Sequence, residues 1–302
     1  MPRFFLLRFL FCLIGYSLVA QQDSLTAPHP KRKIIVAGTS AVLTVGSLVG
    51  LQQAWYKDYN TGSFHFFDDN AEWLQMDKAG HFYTTYQMGS LMMEAFDWAG
   101  YSKPKTVWIG GSIGFAYMTA IECMDGFSRG WGFSWGDQLA DALGTGLAMS
   151  QRVYWNEQRI QLKFSFSPSG LAGYNPKLLG NSLSTQVLKD YNGQTYWMSL
   201  SPTLLGNRGK KIPVWLNLSL GYGAYGMLGG HYNNVVAIDK NGQVLSFDRE
   251  RRWYLSADID LSRIKTKHKL LKKTLLMLNM FKFPLPAVEF TKRGVHFYPL
   301  YY

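Results

Sequence analysis

The chain has 302 residues, of which 47% are hydrophobic, 16% aromatic and 17% charged, with a formal charge of +11. So few charges beside 19 Phe, 18 Tyr and 10 Trp exclude a disordered or low-complexity protein, and the length allows a large core in one or two domains. A mean hydropathy of −0.10 excludes a chain made mostly of membrane helices, yet the aromatic load is high for a soluble enzyme, so composition points to a protein that touches a membrane without being dominated by it.

The charge is unevenly placed. Residues 68–141 hold 10 acidic and 4 basic side chains, whereas the other 228 residues hold 10 acidic and 27 basic. A uniformly basic surface would suggest nucleic acid. This pattern does not, and no RNP, zinc-finger or helix-turn-helix signature accompanies it, so no nucleic-acid partner is expected. The basic remainder reads either as a solvated face or as a surface for anionic lipid headgroups, where each nearby Lys or Arg contributes about 1 kcal/mol.

The N-terminus, MPRFFLLRFLFCLIGYSLVAQQD, has Arg3 and Arg8 around a short apolar run that gives way to small residues before Gln21. It reads as an export signal over residues 1–20, cleaved after Ala20. Cys12 lies inside the apolar run behind Phe11, where a lipoprotein signal needs a small residue. Removal of the signal would leave Cys123 as the only cysteine, with no intrachain disulfide to stabilise an exported fold.

A polar leader over 21–33 carries Pro28 and Pro30 and ends in Lys31, Arg32 and Lys33. Residues 34–56, IIVAGTSAVLTVGSLVGLQQAWY, hold no charge. Their length suits a membrane span, with Gly46 and Gly50 forming a small-residue face, and equally a Gly-rich helix buried in a soluble bundle. After an irregular aromatic and acidic stretch from Phe64 to Asp69, apolar spacing predicts helices over 73–98, 104–122 and 134–156, the second apolar all round and therefore the most buried. Beyond Pro168, turn signals separate β-like runs at 195–200, 214–222, 244–247, 253–261 and 295–302. The run at 253–261 alternates, with Trp253, Leu255, Ala257, Ile259 and Leu261 on one face and Tyr254, Ser256, Asp258 and Asp260 on the other, as in a half-buried strand. Residues 265–281, KTKHKLLKKTLLMLNMF, read as a basic amphipathic helix that lies on a membrane surface or packs on the sheet. The glycines at 221, 223 and 226 match G-x-G-x-x-G, but no helix can follow them, so the dinucleotide reading fails its context test.

Asp77 and His81 stand four apart on one helix face, Glu122 and Asp125 three apart at the end of the apolar helix, and Asp137, Asp141 and Gly144 share one stripe of the third helix. Packing of the three helices would let these stripes meet, and carboxylates converging with an imidazole in an apolar setting are costly unless paired or metal-bound. Each piece also has an ordinary reading. Ser134 and Asp137 fit a capping box, Asp77 could pair locally with Lys78 or His81, and Glu122 and Asp125 could be ordinary residues of a closing turn.

The spaced pattern D-K-x-G-H-F from Asp77, E-x-x-D from Glu122, and S-W-G-D-x-x-A-D-x-x-G from Ser134 to Gly144 resembles the YfiM-like family of predicted periplasmic lipoproteins of unknown function, in its Bacteroidetes-type version. It is also faintly similar to the VanZ-like family, on which Asp77, Lys78, His81, Glu122, Asp137 and Gly144 fall on shared positions. Asp141 stands where the VanZ-like pattern usually has Asn. The resemblance covers about 75–150 and implies an exported, membrane-associated helical module with no established reaction.

The expected fold is α+β. A helical, bundle-like module over 34–160, with room for one membrane helix, precedes a smaller antiparallel β-rich region over 161–302 with a basic amphipathic helix. Three functions compete. In the first, a non-enzymatic, exported and membrane-associated envelope protein binds lipid or another envelope component, and the polar cluster is a buried structural network. In the second, an enzyme acts on a lipid-linked or cell-wall substrate, with His81 as general base or metal ligand, Asp77 orienting it, and Glu122, Asp137 and Asp141 as acid, base or ligands. Asp125 joins His81, Glu122, Asp137 and Asp141 as a metal-ligand candidate, and the residues name no other cofactor. The third, an outer-membrane β-barrel, has only five or six candidate strands against the eight required. The first two separate on geometry. A shared site needs His81 within about 8 Å of at least one of Glu122, Asp125, Asp137 and Asp141. Convergence around an open cavity favours the enzyme, whereas a closed, fully paired core favours structure.

Overall fold

The uncharged run forms helix α1 (Pro30–Leu51), which opens on a proline whose missing N–H costs nothing at a helix start. The computed structural model describes residues 29–52 and 61–301, so the leader signal at 1–20 and the end of the apolar run at 53–56 lie outside the described residues. Lys31, Arg32 and Lys33, read above as the end of the leader, are the first turn of α1. There Arg32 lies 5.2 Å from the Trp98 ring and Lys33 4.8 Å from the Tyr101 ring. Only the first half of α1 docks, through Val36 against Met92, Ala95 and Phe96. A side chain built on Gly46 would meet nothing within 4 Å, so that part of the small-residue face is unused among the described residues.

Three further helices form the bundle: α2 (Met76–Trp98), α3 (Ile113–Gly126), entered through a π turn at Thr106–Gly110, and α4 (Trp135–Tyr154). Helix α2 starts three residues later than its apolar spacing suggests, because Trp73, Leu74 and Gln75 have φ of 47°, 52° and 63°. A left-handed run without glycine costs about 1–2 kcal/mol per residue. It is held by the Tyr222 hydroxyl donating to the Leu74 carbonyl and by the Trp73 N–H donating to Gly230 at 2.9 Å. Tyr86, Met93, Val107, Ala148 and Met149 close the core between the helices.

After the bundle come β1 (Ile160–Phe166), a short helix α5 (Leu183–Lys189), β2 (Gln194–Leu200), β3 (Leu216–Tyr225), the small pair β4 (Ala237–Ile238) and β5 (Val244–Leu245), β6 (Glu250–Ile259), helix α6 (Lys269–Leu278), β7 (Leu285–Thr291) and β8 (Gly294–Tyr301). Six strands make one antiparallel sheet in the order β1-β2-β3-β6-β7-β8. Strands β1, β4 and β7 were not expected from the sequence. The run at 244–247 shrinks to two residues, the basic helix is shorter than 265–281, and the glycine motif at 221–226 lies in β3 and the positive-φ turn at Gly226.

The polarity of this sheet is inverted. The usual alternation would bury the apolar set of β6, but Trp253 and Leu255 are exposed while Tyr254, Ser256 and Asp258 are buried. In β3, likewise, Leu218 and Leu220 are exposed and Asn217 and Ser219 buried. The sheet curls around its polar face. Thr195 of β2 and Tyr301 of β8 are not neighbours in the strand order, yet their hydroxyls meet at 3.0 Å. Inside the curl, Lys163 Nζ lies 2.7 Å from Asp258 Oδ2 with both side chains fully buried, and Ser199 donates to the same oxygen at 2.6 Å. Tyr254 and Tyr298 donate to Glu289 at 2.8 and 3.0 Å. Buried ion pairs repay their desolvation only with such added hydrogen bonds. Gly221 is required here, since a Cβ would lie 2.8 Å from the Trp197 ring. The opposite, apolar face of β1 and β2 covers the bundle, with Leu162 and Met198 against Tyr86 and Met149.

Helices α2 and α4 are in close contact at Gly144, where a Cβ would sit 2.2 Å from the Phe82 carbonyl oxygen and 2.3 Å from Thr85 Oγ1. The Gly144→Ala variant is expected to lose about 1–3 kcal/mol of stability through this overpacking, read as a lower urea midpoint at unchanged m-value.

Candidate functional site

The close α2–α4 contact, the end of α3 and the loop after Phe64 bring seven charged or titratable side chains to one place. Lys78 stands at the centre. Its Nζ is 2.5 Å from Asp69 Oδ1, 2.9 Å from Asp137 Oδ1 and 3.7 Å from Asp77 Oδ2. One turn on, His81 Nδ1 donates to Asp141 Oδ1 at 3.2 Å, and Nε2 faces Glu122 Oε1 at 3.8 Å and Asp77 Oδ1 at 4.0 Å. Tyr191, from the turn before β2, donates to Asp77 Oδ1 at 2.7 Å. The sheet region thereby closes one side of the cluster.

The start of α4 is capped from two directions. Ser134 Oγ accepts from the Asp137 N–H at 3.2 Å and donates to Asp69 at 2.6 Å. In a capping box the Asp137 carboxylate would reach back to the Ser134 N–H. That N–H donates instead to Glu122 Oε2 of α3 at 2.9 Å, which leaves the Asp137 carboxylate to Lys78. Glu122 thus ties α3 to the start of α4.

Five carboxyl groups, on Asp69, Asp77, Glu122, Asp137 and Asp141, surround the Lys78 ammonium and the His81 ring, and the imbalance shows in their protonation. Burial pushes His81 down, but the hydrogen bond to Asp141 and the charges of Asp77, Asp137 and Asp141 more than offset this and raise it to about 10. Burial raises Glu122 to about 7 against the opposing charge of His81, and burial with the charge of Asp77 raises Asp137 to about 9. Asp141 is raised by burial too, and its Oδ2 is buried with no hydrogen-bond partner among the described residues. Asp69 goes the other way: burial would raise it, but the hydrogen bonds from Lys78 and Ser134 hold it below the usual carboxylate range.

Of the residues expected from the sequence, Asp77, His81, Glu122, Asp137 and Asp141 therefore lie together, well inside the 8 Å condition. Asp125 bears on the cluster through its charge, which raises Glu122. Asp69, Lys78 and Tyr191 were missed as members, Lys78 having entered only as a local partner of Asp77 and a shared motif position. Asp69 stood in a stretch read as irregular, and nothing local in the sequence marks Tyr191. His81 Nε2 or Nδ1, an Asp77 oxygen and an Asp137 oxygen lie within 4.8 Å of one another, a spacing at which three ligand atoms can share a metal ion.

Residues 65–152 match the model of a family described as predicted periplasmic lipoprotein (DUF2279). The match runs from the aromatic loop through most of α4 and includes every member of the cluster except Tyr191, but neither α1 nor the sheet. It agrees with the resemblance carried by the motifs and with an exported, cell-envelope location. Searches of curated proteins and of solved structures each found no match.

Two outcomes follow from this geometry. Lys78→Met strands Asp69 and Asp137 without their cation, and is expected to cost about 3–5 kcal/mol in urea unfolding. Stability should also fall as pH rises. The folded-state pKa of His81 exceeds its ordinary 6.5, so its contribution is complete below pH 6.5 and is lost as pH approaches about 10. Glu122 and Asp137 hold protons that the unfolded chain has already released, between pH 4.5 and about 7 and between pH 3.8 and about 9. All three act in one direction, so the urea midpoint should decline steadily from about pH 5 to about pH 9.

Proposed function

We propose that the chain is an exported, membrane-associated envelope protein of binding or structural role, in which the Lys78–His81 cluster acts as a closed polar lock on the helical unit. One observation carries this reading: the lock is paired across elements. Asp69 and Asp137 flank Lys78, Glu122 holds the Ser134 N–H, Asp141 holds His81, and Tyr191 holds Asp77. A centre built to turn over a substrate needs groups left free to meet it, whereas most of these are engaged with one another. The atoms left over, His81 Nε2 at 3.8 and 4.0 Å from its nearest carboxylates and Asp141 Oδ2, belong to largely buried side chains. Helix α1 supports the membrane part of the proposal, since it is long and apolar enough to cross a bilayer and little of it is covered. The segment Lys103–Gly126 passes the same length and composition test, but it packs against α2 and α4 and delivers Glu122 to the lock.

A second reading is favoured by the spacing of His81, Asp77 and Asp137. Asp141 on Nδ1 would orient the imidazole ring as carboxylates do behind metal-bound histidines, which leaves Nε2 for the metal. A divalent ion there would compete with Lys78, whose ammonium already lies near Asp77 and Asp137. The lock therefore ranks first.

Elemental analysis of the purified protein, beside the His81→Ala variant, tests both. The lock predicts no stoichiometric metal in either protein and a clear loss of stability in the variant. Stoichiometric metal that disappears in the variant would replace the lock with the metal centre. A metal-free protein whose stability is untouched by the substitution would remove both readings.

A further inference from the structure

The sheet carries one apolar face, and the described residues cover only part of it. Over β1 and β2 that face lies on α2 and α4, with Leu162 and Met198 in the core. Across β3, β6, β7 and β8 it continues in register and uncovered. Leu220 stands opposite Leu255, Trp253 opposite Phe290, and Phe290 opposite Val295. Trp253 is 56% exposed and Phe297 66%. A soluble sheet with one free face turns polar side chains outward. This one buries its serines, its Lys163–Asp258 pair and Glu289 on the inner side and offers leucine, tryptophan and phenylalanine to the outside. Apolar outside and polar inside is the pattern of β-structure that meets lipid.

Charge points to the same occupant. From residue 251 to residue 301 the sequence has three acidic side chains against eleven Lys and Arg. All three acids, Asp258, Asp260 and Glu289, are buried, whereas Arg251, Lys265, Lys267, Lys272 and Lys292 are exposed. Arg293, also exposed, is paired with Asp248 at 3.0 Å. The described surface of this stretch therefore shows cations and no carboxylate, which complements anionic headgroups.

We propose that the uncovered half of the apolar sheet face, on β3, β6, β7 and β8, is a docking surface for an anionic lipid leaflet. The proposal rests on the membrane association inferred above and is independent of the Lys78–His81 lock. Strand β8 is an edge of the sheet, and an unpaired edge is costly in hydrocarbon. The sheet accordingly lies on one leaflet, with its apolar face dipped into the interface and its polar curl turned away, and does not span the bilayer.

The test is flotation of the full chain with vesicles of phosphatidylethanolamine and phosphatidylglycerol, and with vesicles of phosphatidylcholine alone. Because α1 could anchor the chain by itself, the sheet is read in a full-length background with Val42→Asn, Val45→Asn and Val49→Asn. That protein is expected to float with the anionic vesicles, less with the zwitterionic ones, and to lose about tenfold or more of its binding when Leu220→Asn, Leu255→Asn and Phe297→Asn are added. These are exposed positions, so the urea midpoint should hold, which separates lost binding from lost folding. Lys265→Ala, Lys267→Ala and Lys272→Ala should lower binding to anionic vesicles alone.

Complete loss of flotation in the α1 background, or flotation that survives the sheet substitutions, would overturn the docking face and leave membrane association through α1 standing. Failure of the unaltered chain to float with either vesicle would overturn membrane association and the docking face together. A lipid-free dimer by light scattering that the sheet substitutions return to monomer would assign the face to a second copy of the chain, and that result also overturns the proposal.

Discussion

The ammonium of Lys78 is the point on which the helical unit depends. It stands between Asp69 from the loop, Asp137 from the first turn of α4 and Asp77 from its own helix. Without it, Asp69, Asp77 and Asp137 would face one another with no cation between them, and the chain would have to bear their repulsion or hold them protonated. With it, the loop, α2 and α4 share one electrostatic centre. His81 extends the same logic one turn along α2, and Glu122 brings in α3 by capping its neighbour's N-terminus.

The chain solves this problem twice, at two scales. In the bundle, a polar lock sits among apolar helices. In the sheet, the inner face is mostly polar, and Lys163, Asp258, Glu289 and their hydroxyl partners share the curl with Trp197 and Ala287 where an ordinary sheet would place leucines. The apolar residues so displaced are divided between the bundle and the outside. The bundle therefore sits on the apolar side of the sheet, and beyond it a strip of that side is uncovered among the described residues. Both arrangements keep the charges at fixed positions and hand the apolar surface to other partners.

Much of the helical unit was legible in the sequence, because helices report themselves through local spacing. The segments at 104–122 and 134–156 are close to α3 and α4, and the Ser134 cap is where its motif places it. The start of α2 departs from its spacing because Trp73, Leu74 and Gln75 carry no glycine to announce a left-handed turn, which is held instead by Tyr222 and Gly230 from distant sequence. The membership of Asp77, His81, Glu122, Asp137 and Asp141 was legible as shared stripes, whereas Asp69 and Tyr191 reach the cluster from irregular segments with no period to betray them. Strand β1 alternates strictly, with Ile160, Leu162, Phe164 and Phe166 against Gln161, Lys163 and Ser165, so it was legible in its own spacing, but it lies before Pro168, where the β-like texture was taken to begin.

The sequence by itself determined which residues share a face: the stripes of the bundle helices, the alternation of β6, the separation of an acidic middle from basic flanks. Periodicity is a property of the local backbone, so it survives without knowledge of the fold. Only the tertiary structure decided which face goes inward. In the bundle that choice gathered the carboxylates around Lys78 and His81. In the sheet it put Asp258 and Glu289 inside and Trp253 and Phe297 outside, because buried charges need partners that only distant strands supply, and each face is stable where its own partners are.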